Sequence, residues 1–309
     1  MRKIFLILGL SSFLFTACNS GSDSSNLEDQ MDSLKSESDS LSDGYELVWS
    51  DEFETNGLPD TNNWSYDVGG NGWGNNELQF YTKARTENAR VENGKLIIEA
   101  RKEKMEGNKY TSARLVSKGK ADWTYGKFVI RAKVPKGKGV WAAIWMLPTQ
   151  WDLGSGNWPD VGEIDIMEYV GHSQDTVLGT IHCAAFNGML HTQKGKSIVV
   201  PNVEENFHDY ILEWTDEKIE IFVDDKKFFE FPKSEKWEEW PFFKDFHLVL
   251  NIAIGGTLGK KVDDKIFPQK MEIEYIKVFQ KQNSSLPECC KNKEAKSKEK
   301  CKEKCRDFK

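Results

Sequence analysis

The sequence predicts an all-β fold in which two antiparallel sheets pack as a sandwich, or jelly roll. Three observations carry this expectation. Short apolar or alternating runs recur throughout residues 45–282, Gly, Asn, Asp and Pro punctuate them, and helical periodicity is nearly absent before the C-terminal tail. A core of aromatic size is available, with eleven Trp, eighteen Phe and eight Tyr. Indoles at that density serve either a large β core or a surface that stacks on flat ligands.

In chain order the expected strands are Lys95–Ala100, Gly126–Val134, Trp141–Leu147, Glu163–Val170, Thr176–His182, Tyr210–Thr215, Lys218–Val223, His247–Ala253 and Met271–Phe279. Turn chemistry separates them at Asn93-Gly94, Pro135-Lys136-Gly137, Asp224-Asp225 and Gly255-Gly256. Lys218 to Phe228 reads as a hairpin about an Asp-Asp-Lys turn. These strands lie in one domain, residues 45–286, with no internal repeat.

Three flanking segments differ in composition. Arg2-Lys3 followed by Ile4 to Phe15 has the charged start and short apolar stretch of a secretory signal over residues 1–17. Thr16-Ala17-Cys18 resembles a bacterial lipobox, which makes Cys18 the lipidated first residue of the mature chain. A conventional cleaved signal is the alternative, since Phe15 stands where Leu is usual. Residues 19–44 hold nine Ser and seven acids against one Lys and have little to bury. A solvated tether is expected there. The tail 287–309 alternates Lys and Glu and contains Cys289, Cys290, Cys301 and Cys305. Two disulfides in an exported protein are the plain reading. A four-thiolate metal site is the sharper one, although adjacent cysteines fit it poorly. Cys183 is left unpaired and is expected to be buried.

Charge narrows the function. The whole chain carries −7, which argues against binding nucleic acid by backbone neutralisation. Beyond the first fifteen residues no apolar run reaches the length of a spanning helix, which argues against an integral membrane protein.

The most informative stretch is Gly162-Glu163-Ile164-Asp165-Ile166-Met167-Glu168-Tyr169. In a regular strand Glu163 and Asp165 share one face, and strict alternation places Glu168 on the other with the isoleucines. A one-residue bulge near Ile166-Met167 restores Glu168 to the acidic face. That arrangement is favoured, because burying a lone carboxylate among apolar groups is costly. Crowded acids spread their pKa values, so that one stays ionised while another keeps a proton. Glycoside hydrolysis uses such a pair, about 5–5.5 Å apart in a retaining enzyme. A solvated acidic face or a Ca²⁺ site of oxygen ligands remains open from spacing alone.

Glu-Ile-Asp-Ile-Met-Glu resembles the bulged signature of glycoside hydrolase family sixteen. The resemblance extends over most of residues 47–279 through Val48 to Phe53, Gly74 to Thr82, Ser112 to Leu115, Tyr125 to Phe128, Trp141 to Pro148, Phe207 to Tyr210 and Leu250 to Gly256, in that order. The Asn75-Asn76-Glu77-Leu78-Gln79 segment is similar to laminarinase-like members.

The resemblance implies a jelly roll with a cleft across its concave sheet and retaining hydrolysis of β-glycosidic bonds. It implies Glu163 as nucleophile, Glu168 as acid/base and Asp165 as the neighbour that tunes them. Trp141, Trp145 and Trp158 become candidates for sugar stacking, whereas Trp49 and Trp214 are expected in the core. Asn75 and Arg114 match positions that hydrogen-bond sugar hydroxyls, and His182 matches a His beside the acid/base. Catalysis is expected to need no cofactor. A structural Ca²⁺ on Glu52, Gly94 and Glu274 is implied, with Glu274 where Asp is usual. The expected partner is a β-glucan polysaccharide, bound by a monomer held at the bacterial envelope through a lipid anchor. Mixed-linkage glucanase, agarase or carrageenase activity, and a non-catalytic glycan-binding lipoprotein, are the alternatives.

Overall fold

The computed structural model describes Ser40–Leu41 and residues 44–281. The signal segment 1–17, Cys18, nearly all of the tether 19–44 and the tail 287–309 lie outside the described residues. The chain divides into two compact units at Leu41. β1 (Ser40–Leu41) falls in the first, and all other elements fall in the second.

From the N-terminal side these are β2 (Tyr45–Asp51), β3 (Ser65–Tyr66), β4 (Gln79–Tyr81), β5 (Ala89–Val91), β6 (Leu96–Ala100) and β7 (Tyr110–Ser112). There follow β8 (Arg114–Val116), β9 (Asp122–Trp123), β10 (Gly126–Lys133), β11 (Val140–Pro148), β12 (Glu163–Val170) and β13 (Thr176–His182). The last are β14 (Lys194–Val199), β15 (His208–Trp214), β16 (Lys218–Val223), β17 (Lys226–Pro232), β18 (Phe246–Ile254) and β19 (Gln269–Lys281). One helical turn, Gly256–Gly259, and one 3₁₀ turn, Asp264–Ile266, are the helices among the described residues.

Two large sheets result, as the alternation predicts. One runs β2-β19-β10-β15-β16-β17, with β6 joined to β19 and β5 to β6. The other runs β14-β13-β12-β11-β18-β8-β3, with β9 on β18. Pairing within both is antiparallel, whereas β4 and β7 form a short parallel pair.

Burial patterns distinguish the two sheets. In β10 buried and half-buried residues alternate strictly, so Phe128, Ile130 and Ala132 enter the core and their neighbours face outward. β12 beyond Glu163 and all of β18 are buried instead. One face of these strands meets the core through Ile164, Ile166, Leu248, Leu250 and Ile252. Their other face carries two small clusters apart from it: Val116, Leu147 and Val249 with Trp145, and Trp141, Val170 and Ala253 with Leu258. Those clusters floor the face on which the acids stand.

Trp214 is fully buried, as expected, with its indole N–H donating to the Phe242 carbonyl at 3.2 Å. Trp49 packs only partly buried against the core, edge-on to Trp64 and Trp123. Cys183 is buried and unpaired, as expected. The 218–228 hairpin forms with a tighter turn than expected: Val223 pairs with Lys226, leaving Asp224 and Asp225 in the turn, Asp224 at φ 55°. β14 was not foreseen. Lys194-Gly195-Lys196-Ser197-Ile198-Val199 has no apolar alternation and is almost wholly exposed, the form of a charged sheet edge.

Candidate active site

β11, β12 and β18 lie side by side, so the acids stand in the middle of a sheet. The bulge is present. On β11, Ile144 pairs with Met167 and Trp145 with Asp165, which leaves Ile166 as the extra residue. On β13, the register likewise shifts between Asp165 and Glu168. Ile166 therefore enters the core and Glu168 returns to the side of Glu163 and Asp165.

Each carboxylate has different surroundings. Glu168 is 9% exposed; its Oε1 accepts the Trp141 indole N–H at 3.0 Å and its Oε2 accepts from Thr180 Oγ1 at 3.5 Å. Asp165 is 4% exposed and its Oδ2 makes no hydrogen bond within the protein. Glu163 is the most accessible, with 16% of its side chain exposed. His182, opposite Glu163 in the β12–β13 register, brings Nε2 to 3.4 Å from Asp165 Oδ2 and 3.7 Å from Glu163 Oε1. Its Nδ1 accepts the Gly188 backbone N–H at 3.2 Å, which places the ring proton on Nε2, facing the acids. Donor atoms of Glu163, Asp165 and His182 all lie within 4.8 Å of one another, the one such cluster among the described residues.

Crowding raises all three carboxyl pKa values. Burial, then the charge of Asp165, pushes Glu163 up to about 8, against the opposing pull of His182. Burial and the charge of Glu168 hold Asp165 well above the usual carboxylate range. Burial also raises Glu168, opposed by the Trp141 hydrogen bond. The trio therefore retains protons at neutral pH that three free carboxylates would have lost.

A stability consequence follows. Beside a charged Asp165, folded Glu163 keeps a proton up to about pH 8, whereas the unfolded chain loses it near 4.5, so its contribution to stability falls as pH rises through that window. Glu163→Gln should raise Tm at pH 8, with the gain vanishing by pH 4. Thermal melts of both proteins at the two pH values check this. A gain of equal size at pH 4 would mean that charge is not its cause.

The predicted stacking residues reach this face in different ways. Trp141 is only 9% exposed and its N–H is engaged by Glu168, so it orients an acid more than it offers an open platform. Trp145 is half-buried and donates to Asn251 Oδ1 at 2.7 Å. Trp158 lies beside His182, ring centroids 5.6 Å apart, with no protein acceptor for its N–H. Arg114 is held between Trp73 and Trp145, its guanidinium carbon 4.8 and 4.7 Å from the two ring centroids. It also pairs with Asp67 at 3.0 Å. Asn75 donates to Glu77 Oε1 at 3.3 Å.

The calcium set fits less well. Glu52 Oε1 is 3.2 Å from Lys277 Nζ and Glu274 Oε2 is 3.0 Å from Arg131 Nε, so both carboxylates already face a cation. Gly94 sits in the turn between β5 and β6. Both carboxylates would have to leave these cations to hold Ca²⁺, and no catalytic step runs through the site.

Sequence reasoning included Glu77, Tyr81 and Asn251 only within family-like segments and gave neither them nor Trp73 a role. The available signal was polarity inside apolar runs, as at Asn251 within Leu248 to Ile254.

Three acids and two indoles thus share one face in the middle of a sheet, on the side away from the main core. The profile described as "Glycosyl hydrolases family 16" matches residues 76–277. The chain belongs to that family. Within the family, a protein named "Beta-glucanase" from Rhodothermus marinus is 55% identical over 243 residues, 76% of this chain and 85% of that one. The X-ray structure of the laminarinase from Rhodothermus marinus aligns with TM-score 0.75 at 55% identity, over 76% of this chain and 97% of that chain. The laminarinase catalytic domain from Thermotoga maritima MSB8 aligns with TM-score 0.70 at 42% identity, over 77% and 99%.

Proposed function

We propose that this family 16 chain is an exported endo-hydrolase that cuts β-1,3-glucan with retention of anomeric configuration. The observation that carries the reading is the β12 bulge, which gathers Glu163, Asp165 and Glu168 on one face beside Trp141 and Trp145. The names of the similar proteins support the substrate class.

The electrostatics divide the labour. Asp165, buried and without a hydrogen bond at Oδ2, takes the first proton. That proton removes the Asp165 charge, after burial the largest cause of the raised Glu163 pKa, and so lets Glu163, the most accessible acid of the three, give up its own proton for the attack. Glu163 then attacks the anomeric carbon as the glycosidic C–O bond breaks, and Glu168 gives its proton to the departing oxygen. Burial favours that proton beforehand, and Trp141 and Thr180 aim the carboxyl. In the second half, Glu168 removes a proton from water, the water oxygen bonds to the sugar, and the ester to Glu163 breaks. No cofactor is needed.

The test is reducing-sugar release from laminarin, lichenan, agarose and carrageenan, with proton NMR of the first product anomer. Laminarin cleavage giving the β-anomer is expected. Lichenan preference favours the mixed-linkage reading, and binding without hydrolysis the non-catalytic one. The acidic chain disfavours sulfated galactans.

The proposal includes anchoring through lipid on Cys18, with residues 19–44 as spacer. Cys18→Ser should move the protein from the membrane to the soluble fraction. Unchanged fractionation would mean a simple cleaved signal.

A further inference from the structure

Two chains of hydrogen bonds converge on one buried carboxylate outside the catalytic trio. Glu77 is 8% exposed. Its Oε2 accepts from Gln79 Nε2 at 2.6 Å and from the Tyr81 hydroxyl at 3.2 Å, and its Oε1 from Asn75 Nδ2 at 3.3 Å. The direction of each chain is forced by its far end. An indole N–H can only donate, so the Asn251 atom 2.7 Å from Trp145 Nε1 is the amide oxygen. The Asn251 NH₂ then faces the Tyr81 oxygen at 3.0 Å, and the Tyr81 proton must go to Glu77. In the second chain, the Ile254 backbone N–H donates to Gln79 Oε1 at 2.7 Å, which turns the Gln79 NH₂ towards Glu77.

Three donors thus require a group that only accepts. An ionised carboxylate satisfies them all; an amide at that position would set NH₂ against NH₂ or O–H. The residues oriented this way reach the sugar-facing side. Trp145 stacks against Arg114, Trp73 stacks on the other side of Arg114, and Trp73 lies edge-on to Tyr81 at 5.3 Å.

We infer that Glu77 is a positioning residue for substrate binding: as the shared acceptor it fixes Asn75 directly, and Trp145 through Tyr81 and Asn251. This rests on the glucanase reading, because it takes Asn75 and Trp145 as the groups that meet the sugar. Such groups bind ground state and transition state alike, so misplacing them raises KM more than it lowers kcat.

The experiment is a kinetic double-mutant cycle on laminari-oligosaccharides with Glu77→Gln and Trp145→Phe, which removes the indole N–H. Glu77→Gln should raise KM on the order of tenfold, the scale of a misplaced charge-assisted hydrogen bond, with kcat within about threefold. In the Trp145→Phe background the same change should cost clearly less, because one chain has lost its first link. Should Glu77→Gln fail to fold, Tyr81→Phe decides: it keeps the ring but cuts the chain, and KM should rise with Tm little changed. KM within twofold of the parent for the folded variants, or additive effects in the cycle, would overturn the inference. If the parent hydrolyses no glucan, the functional reading fails on its own, and the same cycle is read as oligosaccharide affinity.

Discussion

Glu163→Gln and Glu168→Gln should each reduce kcat on laminarin by about 10³-fold or more while the protein stays folded. General acid–base catalysis alone is worth about 10²–10⁴-fold, and a missing nucleophile removes the covalent route altogether. Folding should survive because each change exchanges a crowded carboxyl for an uncharged group of the same shape at a site where burial already disfavours charge. Azide separates the roles. With Glu168→Ala and an activated leaving group, azide should accept the sugar from the Glu163 ester with overall retention. With Glu163→Ala it should attack the sugar directly with inversion. Retention from the Glu163 variant and inversion from the Glu168 variant would exchange the two assignments.

The second large effect separates core from cleft. Trp214→Ala should cost about 3–5 kcal/mol of stability, the usual penalty for truncating a fully buried aromatic. Its ring packs edge-on to Tyr125 and Phe246, and its N–H has a backbone partner that would be stranded. Trp145 lies outside the main core, against the small cluster of Val116, Leu147 and Val249. Trp145→Ala should therefore cost less stability and weaken laminari-oligosaccharide binding by about 1–2 kcal/mol. Thermal melts and titration calorimetry on the two variants make the comparison. Equal melting losses with unchanged affinity per folded molecule would place Trp145 in the core.

The sequence by itself determined the all-β class, the main strands and the bulge in β12. These are local properties: side chains alternate with a period of two, and three acids among isoleucines leave one inexpensive phase. Alternation also placed Trp141 and Trp145 on one face, while the family resemblance, not the spacing, made that face the cleft. Tertiary structure decided what depends on residues far apart in the chain. It aimed His182 Nε2 at the acids through the Gly188 N–H, and it engaged Trp141 with Glu168. It held Arg114 between two indoles and closed a hydrogen bond between Asn251 and Tyr81 across 170 positions. It formed β14, whose residues carry no strand pattern of their own and pair because β13 offers an open edge. Side-chain alternation reports which face a residue takes, but hydrogen bonds and proton sharing depend on distances that only the packed sheets create.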